Sequence, residues 1–82
     1  MIVPTKGIAA ERALLSVGAQ ICMAAEEPTT VSGLWVGLRR WRAQHGHTAP
    51  VTFAWFVLAL DMLYAMGVVD VEGGLVRKVA VG

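Results

Sequence analysis

Between Thr52 and Met66 the chain reads TFAWFVLALDMLYAM, its longest apolar run, in which Asp61 is the only charged position. Wound as a helix at about 100° per residue, the run sets Phe53, Phe56, Leu60 and Leu63 on one side. Trp55, Met62 and Met66 fall on a neighbouring arc, and Asp61, Ala54 and Ala65 share the narrow strip that is left. A surface helix of a globular protein carries an apolar stripe a little over 100° wide, and this one is apolar most of the way round. Thr52 is a good N-cap, and Gly67 supplies the stop. The run is therefore the helix around which the rest is arranged, with Phe56 and Leu60 expected in the core.

The pattern before it predicts two more helices. From about Ala9 to Glu26, Leu14, Val17, Ile21 and Ala25 form one stripe, with Leu15, Ala19 and Cys22 beside it. Glu11 reads as a first-turn residue favoured by the helix dipole, and Pro28 closes the element. Gly18 in its middle costs about 1 kcal/mol relative to Ala, which points to a close approach by another part of the chain. Thr29 and Thr30 are N-cap candidates for a second helix, in which Val31, Leu34, Trp35, Leu38 and Trp41 recur at spacings of three and four. QHGHTAPV then has no periodicity and reads as a loop.

The two ends predict extended structure. Residues Met1 to Gly7 read as an arm, with β-branched Ile2 and Val3 ahead of Pro4, able to add a short edge strand. After Gly67, Val69 and Val71 alternate with Asp70 and Glu72, Gly73-Gly74 makes a turn, and Leu75, Val76, Val79 and Val81 surround Arg77 and Lys78. That is a β-hairpin over residues 68–81, and a lone hairpin is marginal in water, so it has to pack on the helices or pair with the arm. Three helices followed by a hairpin is an α+β order, that of a winged helix-turn-helix, with the central helix in the recognition position. The whole chain, 1–82, is expected to be one domain.

Composition sharpens the question of what covers the central helix. With 82 residues the chain makes one small domain, and a domain of this size buries only about 60% of the surface its unfolded chain exposes. Apolar residues reach 56% before the nine glycines are added, against a usual total of about 45–50% with glycine included. There is more apolar surface than one small core takes up. A membrane span is disfavoured, because the run is about 22 Å long as a helix against a hydrocarbon core of about 30 Å, and Asp61 lies within it. The single cysteine permits no internal disulfide and fits a reducing cytoplasm, and MIVPTKGI lacks the layout of a signal peptide.

Charge excludes more than it indicates. A net charge of +1 makes no strong basic field for nucleic acid. A DNA-reading third helix would present Arg, Lys, Asn or Gln to base edges, and Thr52 to Met66 holds none of them. Arg39, Arg40 and Arg42 in RRWR are the best nucleic-acid signal, although three cations at a helix end also serve the helix dipole or an ion pair. Lys78 and Arg77 could join them in a small patch. Asp61, in a mostly apolar helix, needs a partner, and one of Arg39, Arg40 or Arg42 is the natural one. No second acid, base or nucleophile accompanies it at a telling spacing, His45 and His47 lack further metal ligands, and Cys22 sits on an apolar stripe. No catalytic residue, cofactor or metal site is expected. The arc of Trp55, Leu58, Met62 and Met66 is core or, on the area argument, a protein interface.

Four segments carry a family resemblance in the same order: I-V-P-T-K at Ile2 to Lys6, L-L-S-V-G at Leu14 to Gly18, T-V-S-x-L-W at Thr30 to Trp35, and F-x-W-F-V-L-A-L-D-x-L-Y-x-x-G at Phe53 to Gly67. Together they resemble the middle component 6 family of ABC-three-component systems, over nearly the whole chain. The resemblance implies a bacterial, cytoplasmic, non-enzymatic adaptor encoded between an SMC-like ABC ATPase and an effector, in systems that defend against phage. The expected partners are that ATPase or effector, with self-association also open, DNA touched only weakly or indirectly, and no membrane. The partner face would be Trp55, Leu58, Met62 and Met66. The alternative is a small DNA-binding winged helix that contacts phosphates through Arg39, Arg40 and Arg42.

Overall fold

The computed structural model describes residues 7–79, with side chains from Glu11 onward. Three helices and a hairpin follow one another: α1 Gly7–Ala24, α2 Val31–Gln44, α3 Phe53–Ala65, β1 Val69–Glu72 and β2 Leu75–Lys78. The expected α+β order is the observed one. Gly7, read as the end of the arm, opens α1, so Glu11 lies beyond the first turn and α1 has no acidic residue there. The strand expected of residues 1–6, and Val81 of the hairpin, lie outside the described residues.

The helix ends follow from the residues at them. Thr30 accepts a hydrogen bond from the Gly33 N–H at 3.0 Å, and Thr52 accepts one from the Trp55 N–H at 3.2 Å, each satisfying one of the donors a helix start leaves free. At the other end of α3, Gly67 takes φ +75°. There its N–H donates to the Tyr64 carbonyl at 3.1 Å while Val68 N–H donates to Leu63 at 2.9 Å, the paired bonds of a Schellman stop. Gly46 ends α2 in the same way, with His47 N–H donating to the Arg42 carbonyl at 2.9 Å. The loop expected from QHGHTAPV thus begins as a helix cap.

The core lies where the three helices meet. It holds Val17, Ile21 and Ala25 from α1 and its end, Leu34 and Leu38 from α2, Phe56, Ala59 and Leu63 from α3, and Val69 and Val76 from the hairpin. Each of the larger side chains contributes about 1.5–3 kcal/mol by leaving water. Phe56 is fully buried, as expected, whereas Leu60 is only partly buried at the edge of the cluster. Gly18 is the close approach the sequence predicts: a Cβ there would stand 2.9 Å from Met62 Cε and 3.3 Å from Leu63 Cδ2. What fills the space is side chain from α3.

The hairpin pairs Val69 with Lys78, Asp70 with Arg77, Val71 with Val76 and Glu72 with Leu75, across the two-residue Gly73-Gly74 turn. Alternation puts Val69 and Val76 inward and gathers Asp70, Glu72 and Arg77 on the outer face. The far edge of β2 is pinned by Thr29, which exchanges hydrogen bonds with Val76 at 3.1 and 2.7 Å. Lys78 Nζ donates to the Cys22 carbonyl at 3.0 Å, in the last turn of α1. A wing fastened both to the α1–α2 link and to a helix end completes a winged-helix-like arrangement.

Candidate functional site

Recognition helices of winged-helix proteins sit where α3 sits, so its faces decide what the molecule can present. The side turned to the core is that of Phe56, Ala59 and Leu63. On the opposite side Ala54, Leu58, Asp61, Tyr64 and Ala65 are exposed, with Leu58 at 52% and Tyr64 at 59%. The only charge among them is that of Asp61. This outward face is short, flat at its two alanines and mostly apolar.

The arc of Trp55, Leu58, Met62 and Met66 does not share one environment. Leu58 and Met66 are exposed, whereas Trp55 and Met62 are partly buried, and Met62 closes over Gly18 of α1. Periodicity places these four side by side but does not reveal that a glycine on α1 draws Met62 inward. On the outer side of α1, Leu15, Ala19 and Met23 recur at i, i+4 and i+8 and are exposed too. Gly18, in contact with α3, lies on the flank of that stripe. The apolar exposure of α3 and that of α1 therefore border the same seam.

Phe53, read as sharing a side with Phe56, is 51% exposed. It heads α3 on the flank facing α2, where its ring meets Trp35 edge-on with centroids 5.5 Å apart. Trp35 also touches Phe56, at 5.1 Å, and the Arg39 guanidinium lies over the Trp35 ring at 5.7 Å. Phe53, Trp35 and Arg39 form one wall of a groove of about 420 Å³ whose other wall is the α2–α3 loop. Sequence reasoning missed this site. The signal available was Trp35 and Arg39 four residues apart on one helix face.

The three arginines of RRWR part company. Arg42 turns inward, donating to Gln20 Oε1 of α1 and to the Ala49 carbonyl of the α2–α3 loop. Its partial burial pushes the guanidinium pKa below the ordinary arginine value. Arg39 rests on Trp35, and Arg40 borders a second groove beside Glu26 and Glu27. The ion pair expected between Asp61 and one of these arginines is not formed. Among the described residues the ion pairs are those of Arg77, with Asp70 at 2.8 Å and Glu72 at 2.7 Å. Arg77 and Lys78 are thereby engaged within the hairpin and with α1, and do not join the RRWR cluster. The reason is topological: the hairpin supplies Asp70 directly across from Arg77 and Glu72 diagonally from it, and α3 holds Asp61 out in solvent.

His45 and His47 stack on Trp41, with centroids 4.0 and 5.5 Å away, and His45 Nδ1 lies 2.8 Å from the Trp41 carbonyl oxygen. Among the described residues no three His, Cys, Asp or Glu gather closely enough to hold a metal ion. Cys22 is partly buried against the core. No helix among the described residues is long and apolar enough to cross a membrane.

A family model described as ABC-three component (ABC-3C) system Middle Component 6 matches residues 3–79. No curated protein and no solved structure matches the chain. The matched span takes in all three helices and both strands, including the apolar face of α3 and the groove beside it. The chain thus belongs to the middle component 6 family of ABC-three-component systems.

Proposed function

We propose that this middle component is a non-enzymatic adaptor, docking a partner subunit on the outer face of α3 and its seam with α1. The observation that carries the reading is that α3 and its C-cap Met66, in the recognition position, expose Leu58, Tyr64 and Met66 and no Lys, Arg, Asn or Gln. An apolar helix face of that kind suits a protein surface and repays nothing on a phosphate backbone. Met62 closes over Gly18 of α1, Trp55 lies half-buried beside it on α3, and Asp61 marks the polar edge of the face. In a system of this family the partner is an SMC-like ABC ATPase or the effector, working in the bacterial cytoplasm in defence against phage. The alternative, a DNA-binding winged helix using Arg39, Arg40 and Arg42, loses support because Arg42 is engaged with Gln20 and Ala49, and Arg40 borders a different groove from Arg39.

Co-expression with the genomic neighbours, followed by affinity capture and mass measurement of the complex, tests the reading. Leu58→Glu and Met66→Glu leave the core untouched, since both side chains are already exposed. Either should abolish co-purification while the helical circular dichroism stays the same. Unchanged capture of the partner by both variants would overturn it.

A further inference from the structure

The groove between α2 and the α2–α3 loop lies on the flank of α3 that faces α2, and the docking face does not account for it. One wall is aromatic, built from Trp35 and Phe53; the loop opposite contributes His47, Pro50 and Val51. Its volume of about 420 Å³ falls within the range of small binding sites, roughly 300–1,000 Å³. The charged groups that line it are cations, Arg39 and Arg42, and no carboxylate lines it. Arg42 is committed to Gln20 and Ala49. Arg39 is not: its guanidinium carbon lies over the Trp35 ring at 5.7 Å from the centroid, the side chain is exposed, and no carboxylate among the described residues pairs with it. The N-terminus of α3, which has no acidic residue in its first turn, adds potential of the same sign at the same place.

From this we infer that the groove receives an extended acidic segment of a partner protein, with a Glu or Asp carboxylate on Arg39 and the neighbouring apolar side chain against Trp35 and Phe53. The planar guanidinium offers a fork of N–H donors that matches a carboxylate bidentately, which a lysine ammonium does not, and the Trp35 ring beneath it favours the cation at that place. The groove offers one uncommitted cation. Nucleic-acid affinity grows with the number of phosphates neutralised, so one cation favours a peptide carboxylate over a phosphate chain. The apolar wall gives the segment its second anchor, and the two anchors together read an acidic residue next to an apolar one.

The test uses the full chain and a short fluorescein-labelled Glu-Leu repeat peptide, followed by fluorescence anisotropy. The Glu-Leu peptide should bind saturably, and its Gln-Leu counterpart about tenfold or more weakly, as should the Glu-Leu peptide on Arg39→Ala. Arg40→Ala, on a different side of α2, should leave binding unchanged. Absence of saturable binding at millimolar peptide, equal binding of the Gln-Leu peptide, or indifference to Arg39→Ala overturns the inference. So does a duplex oligonucleotide that binds more tightly than the peptide and displaces it, which would make the groove a phosphate site. Should Arg39→Ala not fold, nitrogen–proton spectra of the unaltered protein decide: peptide-induced shifts must fall on the Trp35 indole, Arg39 Nε and Val51 to Phe53, and shifts elsewhere refute it. Leu58→Glu should bind the peptide normally, so failure of the groove and failure of the α3 docking face are told apart.

Discussion

Gly18 of α1 lies so close under Met62 of α3 that a Cβ added to it would stand 2.9 Å from the Met62 methyl. Two effects of similar size then oppose one another in Gly18→Ala. Replacing glycine inside a helix gains about 0.8–1.0 kcal/mol. Moving the end of Met62 and easing Leu63 off its rotamer costs about 0.5–1.5 kcal/mol. The alanine variant should therefore unfold within about 1 kcal/mol of the parent, whereas Gly18→Val, with two further methyls against the same neighbours, should lose about 1–3 kcal/mol. Urea unfolding followed by circular dichroism separates them; a valine variant as stable as the parent would show that α1 and α3 do not meet there.

Arg42 holds together three pieces of the fold: its own helix, Gln20 on α1, and the α2–α3 loop at Ala49. Gln20 is buried, and its amide also donates to Ser16 Oγ at 3.3 Å. Removing the guanidinium strands a buried amide oxygen, at a cost of about 1–3 kcal/mol. Arg42→Ala should be destabilised by that amount in urea, and Arg42→Lys by less. Arg40→Ala, an exposed change, should stay within about 0.5 kcal/mol of the parent. Equal effects at positions 40 and 42 would mean that the bridge contributes nothing.

Arg42 also shows where reading the chain from its sequence stops. The stripes of Val17 and Ile21, Leu34 and Leu38, and Phe56 and Leu63 are visible because burial on a helix repeats every three or four residues. The hairpin is visible because burial on a strand alternates. A guanidinium that caps a neutral amide twenty-two residues away leaves no periodic trace and no complementary charge, so the search for a partner turns to Asp61. Asp61 needs none, being exposed. Phe53 misleads for a related reason. It shares an arc with Phe56 by angle, but as the first residue of α3 it reaches past the core to Trp35. The bridge from Thr29 to Val76 is one residue pair long, too short for any pattern to announce.

The outer face of the hairpin makes stability depend on acid. Arg77 hydrogen-bonds to Asp70 directly across the strand and, with its charge adding in the same direction, holds the Asp70 pKa below the ordinary carboxylate value. Between the folded and unfolded pKa values the unfolded chain binds more protons, so stability rises with pH there. The contribution is present above the unfolded pKa and is lost as pH falls through the folded one. The stability difference between the parent and Asp70→Asn should accordingly be seen at neutral pH and close in acid. Both groups are exposed, so added salt should shrink it as well. A difference independent of pH would assign the effect to something other than this pair.

Gly33 and Thr29 give the sharpest test of how the wing is fastened. In the first turn of α2 a Cβ at position 33 would stand 2.2 Å from Thr29 Oγ1, but 3.6 Å from Thr29 Cβ. The first distance cannot be tolerated; the second is ordinary contact. Thr29 is β-branched and stiff at χ1, and its backbone is held on both sides by Val76, so it yields only by leaving its rotamer. Gly33→Ala should therefore destabilise the parent. In a Thr29→Ala background that hydroxyl is gone and the closest remaining neighbour is Thr30 Oγ1 at 3.2 Å, a tight contact set against the helix-forming gain of alanine over glycine, so the same substitution should cost much less. The difference between the two backgrounds corresponds to a coupling of about 0.5–3 kcal/mol in a double-mutant cycle measured by thermal or urea unfolding. A cycle that adds without coupling would place Thr29 away from Gly33 and detach the α1–α2 link from the start of α2.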